Sequence, residues 1–198
     1  MLKCLLSCTA WMLTSLLCFG QKANTSSVIK PNGVRVEQEH NSLTVLWPSG
    51  DQQQAGISLS TTPGTPLIRA IFIQQDGVKT TIVNDLDPAF IVTISKRDLV
   101  SQNGWNIFFD RVPNKPFTSH VLSYAPTKPT VTTAGSRAVI TVGKCSMPGF
   151  TGHLEFTLYN GSPLVNIAAV ISTTKDSTAL VYDAGLVSKT LPWKNLQW

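Results

Sequence analysis

The sequence predicts an all-β chain folded as an antiparallel β-sandwich, and three observations carry that expectation. The clearest is Phe150 to Leu186, FTGHLEFTLYNGSPLVNIAAVISTTKDSTALVYDAGL, where Asn160-Gly161 separates two apolar runs. The second is a succession of roughly a dozen short alternating segments, with turn residues at about the 8–12-residue spacing of sandwiches. The third is the lack of helical periodicity. Lys96 to Gln102 accommodates one turn at most.

Asn and Gly both tolerate positive φ, which a two-residue type I′ hairpin needs at both central positions. With Asn160-Gly161 as the loop, Tyr159 faces Ser162, Phe156 faces Val165, Glu155 faces Asn166 and Leu154 faces Ile167. Opposed residues share a face. One face collects Leu154, Phe156, Leu158, Val165, Ile167, Ala169 and Ile171 and is assigned to the core. The other carries His153, Glu155, Thr157, Tyr159, Leu164, Asn166, Ala168 and Val170. A slip of one residue would drive Glu155, Thr157 and Asn166 inward, so the pattern fixes the faces. The second strand is apolar on both faces. That predicts a central strand, covered on both sides, over Val165 to Ile171. Ala179 to Asp183 reads as a further strand.

The chain before this hairpin has the same character. Val34 and Val36 alternate with polar residues, as do Leu43, Val45 and Trp47 up to a turn at Pro48-Ser49-Gly50-Asp51. Gln52 to Gln54 reads as a loop. Ile57 and Leu59 belong to the next strand, closed by Thr62-Pro63-Gly64. Asp76-Gly77 is a second hairpin signal, pairing Gln75 with Val78, Ile73 with Thr80 and Ile71 with Ile82. Asn103-Gly104 is a third, and Ala134-Gly135 joins Thr130–Thr133 to Arg137–Val142.

Residues 1–20 have the form of an export signal: Lys3, an apolar run from Leu5 to Phe19, then Gly20 before a polar stretch. The run is shorter than the about 20 apolar residues a membrane span needs. The expected division is therefore a signal peptide over 1–20, a flexible lead-in over 21–31 and one β-sandwich domain over 32–198. The mature chain is expected to be secreted, periplasmic or extracellular, with no transmembrane span. Cys4, Cys8 and Cys18 leave with the signal, so only Cys145 remains. An internal disulfide and a cysteine metal site are then both excluded, and core burial must stabilise the domain. Two tryptophans in the last six residues, Trp193 and Trp198, suit a docked segment or the front part of a longer protein.

The whole chain has 16 basic and 11 acidic residues, and losing Lys3 leaves fifteen against eleven, a net charge of +4. The charges are dispersed, whereas nucleic-acid binding needs a clustered basic patch. His40, His120 and His153 lack metal-ligand spacing, and no HExxH, GxSxG or phosphate loop occurs. No cofactor and no catalytic residue is assigned. Lys144 beside Cys145 could lower the thiol pKa, but a lone buried cysteine is the plainer reading. Asn84-Asp85-Leu86-Asp87-Pro88 sets two carboxylates in a turn. It serves a bend more readily than calcium, which takes about six to eight oxygen ligands. Trp47, Trp105, Tyr124, Tyr159 and Trp193 are aromatics able to stack on a sugar or to pack in the core. The strongest candidate site is the mixed hairpin face, where His153, Glu155, Thr157, Tyr159 and Asn166 offer hydrogen bonds and stacking. Leu164, Ala168 and Val170 on that face suggest partial cover and a shallow groove.

The stretch FTGHLEFTLYNGSPLVNIAAVISTTKDSTALVYDAGL resembles the opening hairpin of a β-supersandwich. It is similar to the galactose-mutarotase-like domains of secreted carbohydrate-processing proteins, in which a G-x-L-x-F-T strand precedes one rich in Val, Ile and Ala. The resemblance covers about a fifth of the chain and rests on pattern. It implies a supersandwich-like fold and a glycan as partner. The catalytic His and Glu of that group have no counterpart here. Three roles are therefore expected: a non-catalytic sandwich that binds glycan or supports a carbohydrate-active partner region, a fragment of a carbohydrate-active enzyme (lyase, hydrolase or epimerase) whose catalytic residues lie elsewhere, or a surface-assembly protein using its edge strands.

Overall fold

The computed structural model describes residues 26–30, 32–97 and 116–190. The export signal, the Asn103-Gly104 hairpin, Trp105 and Trp193 lie outside the described residues. Within them are thirteen strands and no helix. Two antiparallel sheets form a β-sandwich. No described helix is long and apolar enough to cross a membrane.

The first sheet begins with β1 (Ser26–Ile29), β2 (Arg35–Glu39), β3 (Ser42–Gly50), β4 (Gln53–Ser60) and β5 (Ile68–Gln75) in sequence order. Gln53 and Gln54, expected in a loop, open β4. The turn there is Asp51-Gln52, with Gln52 at φ 56°. Alternation selects the core face: Val36, Leu43, Val45, Trp47, Ala55, Ile57 and Leu59 are buried there. The opposite face has a small apolar cover of its own. Gly56 stands directly opposite Phe72, whose ring lies where a Cβ on residue 56 would go, and Phe72 is buried as a result. Lys79 Nζ sits 3.8 Å from the centre of that ring, a cation–π contact.

The Asp76-Gly77 hairpin forms as the sequence predicts. Both residues have positive φ, 51° and 78°, and Gln75 pairs with Val78 and Ile73 with Thr80. Beyond a bulge, Ile71 pairs with Val83 in place of the expected Ile82. An extra residue accommodated in one strand shifts every later pair.

The returning strand, β6 (Val78–Lys96), is nineteen residues long. The Asn84–Pro88 stretch is therefore part of a strand and does not end one. Asp85 adopts φ 54° and bends β6 in mid-course. Before the bend β6 pairs with β5. After it, β6 pairs with β13 (Thr178–Val187) on one side and β7 (Phe117–Val121) on the other. Strand β13 is longer than the Ala179–Asp183 run predicted.

The second sheet consists of β8 (Ser123–Ala125), β9 (Thr130–Ala134), β10 (Arg137–Met147), β11 (Phe150–Tyr159) and β12 (Val165–Ser172). The β9–β10 turn is Gly135-Ser136, one residue beyond the expected pair. A shift between Val142 and Cys145 lets β10 pair with β9 over its first half and β8 over its second. Ala138, Ile140, Val142, Leu154, Phe156 and Leu158 point inward and close the core against the first sheet.

The central hairpin keeps its predicted faces but not its predicted pairs. Leu158 faces Val165, Phe156 faces Ile167, Thr157 faces Asn166 and Glu155 faces Ala168. The register is displaced by two residues, which preserves which side chains point inward. The cause is the turn. Only Gly161 has positive φ, 82°, as at the third position of a type II turn. Ser162 N–H donates to Tyr159 O at 3.1 Å, and the turn is tied elsewhere: Asn160 N–H donates to Ser136 O, Gly161 N–H to Pro48 O and Asn160 Nδ2 to Asn32 O. Pro163 has no N–H to give to a ladder.

Strand β12 is also not central. It is the edge of its sheet. Val165, Ile167, Ala169 and Ile171 pack half-buried on the core, while Asn166 and Val170 are exposed.

Candidate functional site

The outer face of the second sheet assembles the predicted site residues. His153, Glu155, Thr157 and Tyr159 alternate along β11, and Asn166 lies beside Thr157 on β12. The expected Glu155–Asn166 opposition is replaced by Glu155–Ala168 and Thr157–Asn166, for the register reason above. His153 Nε2 lies 3.0 Å from Glu155 Oε1, with both side chains about one-third exposed. Two residues apart on one strand, they share a face. The contact holds the Glu155 carboxylate in place and leaves its second oxygen as an acceptor.

Cross-strand pairing widens this face beyond what the hairpin alone reveals. One row runs Thr132, Val139, Thr157, Asn166, and the next runs Thr130, Thr141, Glu155, Ala168. Arg137 stands opposite Tyr159 at the end of the sheet. The result is a surface of hydroxyls flanked by an acid, an imidazole, an amide, a guanidinium and an exposed phenol. Of the three residues expected to give it partial cover, Leu164, Ala168 and Val170, Ala168 alone is half-buried. Leu164 is 70% exposed in the hairpin loop and Val170 is exposed on the edge strand.

Shallow grooves lie elsewhere. One, lined by Pro48, Gln53, Gln54, Gln74 and Asp76, sits at the tips of two hairpins. Amide groups from β4 and β5 meet there because the β3–β4 and β5–β6 turns are adjacent. Among the described residues, no three His, Cys, Asp or Glu side chains are placed to hold a metal ion together.

The aromatic and carboxylate candidates take structural positions. Trp47 is fully buried, and its Nε1–H donates to Ser162 O at 2.8 Å. Asp85 pairs with Arg69 at 2.6 Å. Asp87 Oδ1 accepts from Leu67 N–H at 2.8 Å and from Tyr124 Oη at 2.6 Å. The two carboxylates thus fasten the bend of β6, and Asp87 joins the two sheets. Cys145 is buried, and burial pushes its thiol up to about 11. Lys144 beside it in sequence points away and is exposed, so the activated-thiol reading fails.

No family model matches the chain, and no curated protein or solved structure matches it either.

The Tyr124–Asp87 bond has a consequence for stability. Burial first, then the hydrogen bond and negative charge of Asp87, push the Tyr124 phenol well above its ordinary value. The folded protein therefore retains this proton where the unfolded chain releases it. The contribution is complete below the unfolded phenol pKa of about 10 and is lost as pH rises from there toward the folded value. Tyr124→Phe should cost about 1.5–3 kcal/mol at neutral pH, the scale of a hydrogen bond to a charged acceptor. Urea denaturation at neutral pH and above pH about 10 checks this. The gap between the two proteins should narrow at the higher pH, and a constant gap would contradict the assignment.

Proposed function

We propose that this chain is an exported, non-catalytic β-sandwich that binds glycan through the outer face of its second sheet. The observation that supports this reading most is the arrangement of His153, Glu155, Thr157, Tyr159 and Asn166 on one rigid, open surface. Sugars present hydroxyls on one edge and an apolar C–H face on another. Carboxylate, amide and hydroxyl groups meet the first and an aromatic ring meets the second. The neighbouring threonines of β9 and β10 extend the surface across the sheet. The pattern of residues 150–186 adds the carbohydrate context.

A face with a single carboxylate suits binding rather than catalysis. A glycosidase sets two carboxyl groups across a cleft from each other, whereas this face has one carboxylate, and that carboxylate is engaged by His153. A glycan array probed with the exported protein tests the proposal. Glu155→Gln keeps the size of the side chain and removes its charge. It should weaken the strongest array interaction by about tenfold, the loss of one charge-assisted hydrogen bond, while the melting temperature stays unchanged. Tyr159→Ala should do the same by removing the stacking surface. Absence of glycan binding by the unmutated protein, or binding indifferent to both changes, would overturn the reading.

A further inference from the structure

We infer that this chain self-associates through the free edge of β13, which pairs antiparallel with β13 of a second copy. The inference is independent of the glycan reading and concerns the terminal strand of the first sheet.

Strand β13 runs against β6 for ten consecutive pairs, Thr178 with Lys96 through Val187 with Asp87, with no bulge. Its other side has no strand neighbour among the described residues. Such an edge presents a row of backbone donors and acceptors, which proteins normally guard with lysine, proline, a bulge or brevity. β13 has none of these. Its sequence, TALVYDAGLV, contains one charge, Asp183, and no proline. Among the described residues, the other strands with a single neighbour differ: β1, β7, β8 and β9 have five residues or fewer, and β12 has one face packed on the core.

Side chains point the same way as the backbone. Among the described residues, eight of the fifteen exposed large apolar side chains lie on β13, β7 and the second half of β6, so apolar exposure is concentrated on this three-stranded unit. Leu180, Tyr182 and Leu186 project from one face of β13, and Val181 and Val187 from the other. Phe117, Ile91 and Val121 extend the second face.

These features define the occupant. It must be an extended strand of about ten residues, free of proline, apolar on both faces, and without a carboxylate opposite Asp183. β13 itself meets every condition, so a second copy fits. A two-fold axis perpendicular to the sheet keeps each face continuous, so facing residues must share a face. An axis on Asp183 would oppose two carboxylates. An axis on Val181 or Tyr182 sets Asp183 against Ala179 or Val181 of the second copy. The sheet β7–β6–β13 then continues into its mate. Ten residues a side is fewer than the about 20–30 of a standard stable interface, so the expected dimer dissociates in the micromolar range.

Analytical ultracentrifugation across a concentration series tests this. The unmutated chain should pass from monomer to dimer as concentration rises. Val181→Lys and Tyr182→Lys alter side chains that are 62% and 65% exposed, on opposite faces of β13. With the axis on Tyr182, Tyr182→Lys opposes two lysines and should raise the dissociation constant by about tenfold or more, while Val181→Lys meets Asp183 of the second copy and is tolerated; with the axis on Val181, Val181→Lys opposes two lysines and is the damaging change. Val78→Lys, at an equally exposed apolar position on the far half of β6, should leave it unchanged. Amide hydrogen exchange along β13 should slow with concentration. A monomer at every soluble concentration would overturn the inference, as would a dimer unaffected by both β13 lysines or one that leaves β13 exchange unaltered.

Discussion

Replacing Trp47 with alanine is expected to lower the unfolding free energy by about 3–5 kcal/mol, the range for truncating a buried aromatic. Trp47 is 0% exposed, at the centre of the core face of β3. It also joins the sheets. Its indole N–H donates to Ser162 O in the β11–β12 turn, and Gly161 N–H of the same turn donates to Pro48 O next along β3. Truncation would leave a cavity and an unmade hydrogen bond together. Trp47→Phe separates the two effects. It retains much of the apolar volume and removes the donor, and should cost about 1–2 kcal/mol beyond any loss of fit. Urea denaturation of the two variants decides the matter. If phenylalanine were as damaging as alanine, the hydrogen bond would dominate and the packing account would fail.

That same turn explains where the sequence was legible and where it was not. Asp76-Gly77 and Asn160-Gly161 look alike locally. The first forms a two-residue loop with positive φ at both residues, whereas at the second only Gly161 does so. The difference is long-range. Asn160 is held through its backbone by Ser136 and through its side chain to Asn32, and neither partner is near in sequence. The faces survived because the register moved by two. Side-chain alternation constrains parity strongly and pairing weakly. For the same reason the candidate site residues on β11 and β12 could be placed together in advance, while Thr130, Thr132, Thr141 and Arg137 could not. Their membership depends on β9 and β10 docking beside β11. The apolar run Val165–Ile171 predicts a doubly covered strand, whereas β12 is an edge. Composition reports what a strand could bury, and its neighbours decide what it does bury. The bend in β6 was hidden for a related reason. Asp-rich stretches with a proline normally end strands. Here Arg69, Leu67 and Tyr124 supply the partners that let the ladder continue through Asp85 and Asp87.

The parity argument can be tested on two adjacent residues. Phe156 is fully buried and stands between Ile140 and Ile167 in the cross-strand row. Thr157 points the other way, half-buried on the open face between Val139 and Asn166. Phe156→Ala should cost about 3–5 kcal/mol, because the removed ring leaves a cavity that rigid strands on both sides cannot close. Thr157→Ala removes a hydroxyl with access to water and should cost less than about 1 kcal/mol. Chemical denaturation with matched m-values gives both numbers. The contrast matters more than either magnitude. A one-residue slip of β11 would exchange the environments of the two side chains and reverse the order. It would also turn Glu155 and His153 into the core. Were Thr157→Ala the worse change, the core face and the proposed glycan face would both be assigned to the wrong side of the sheet.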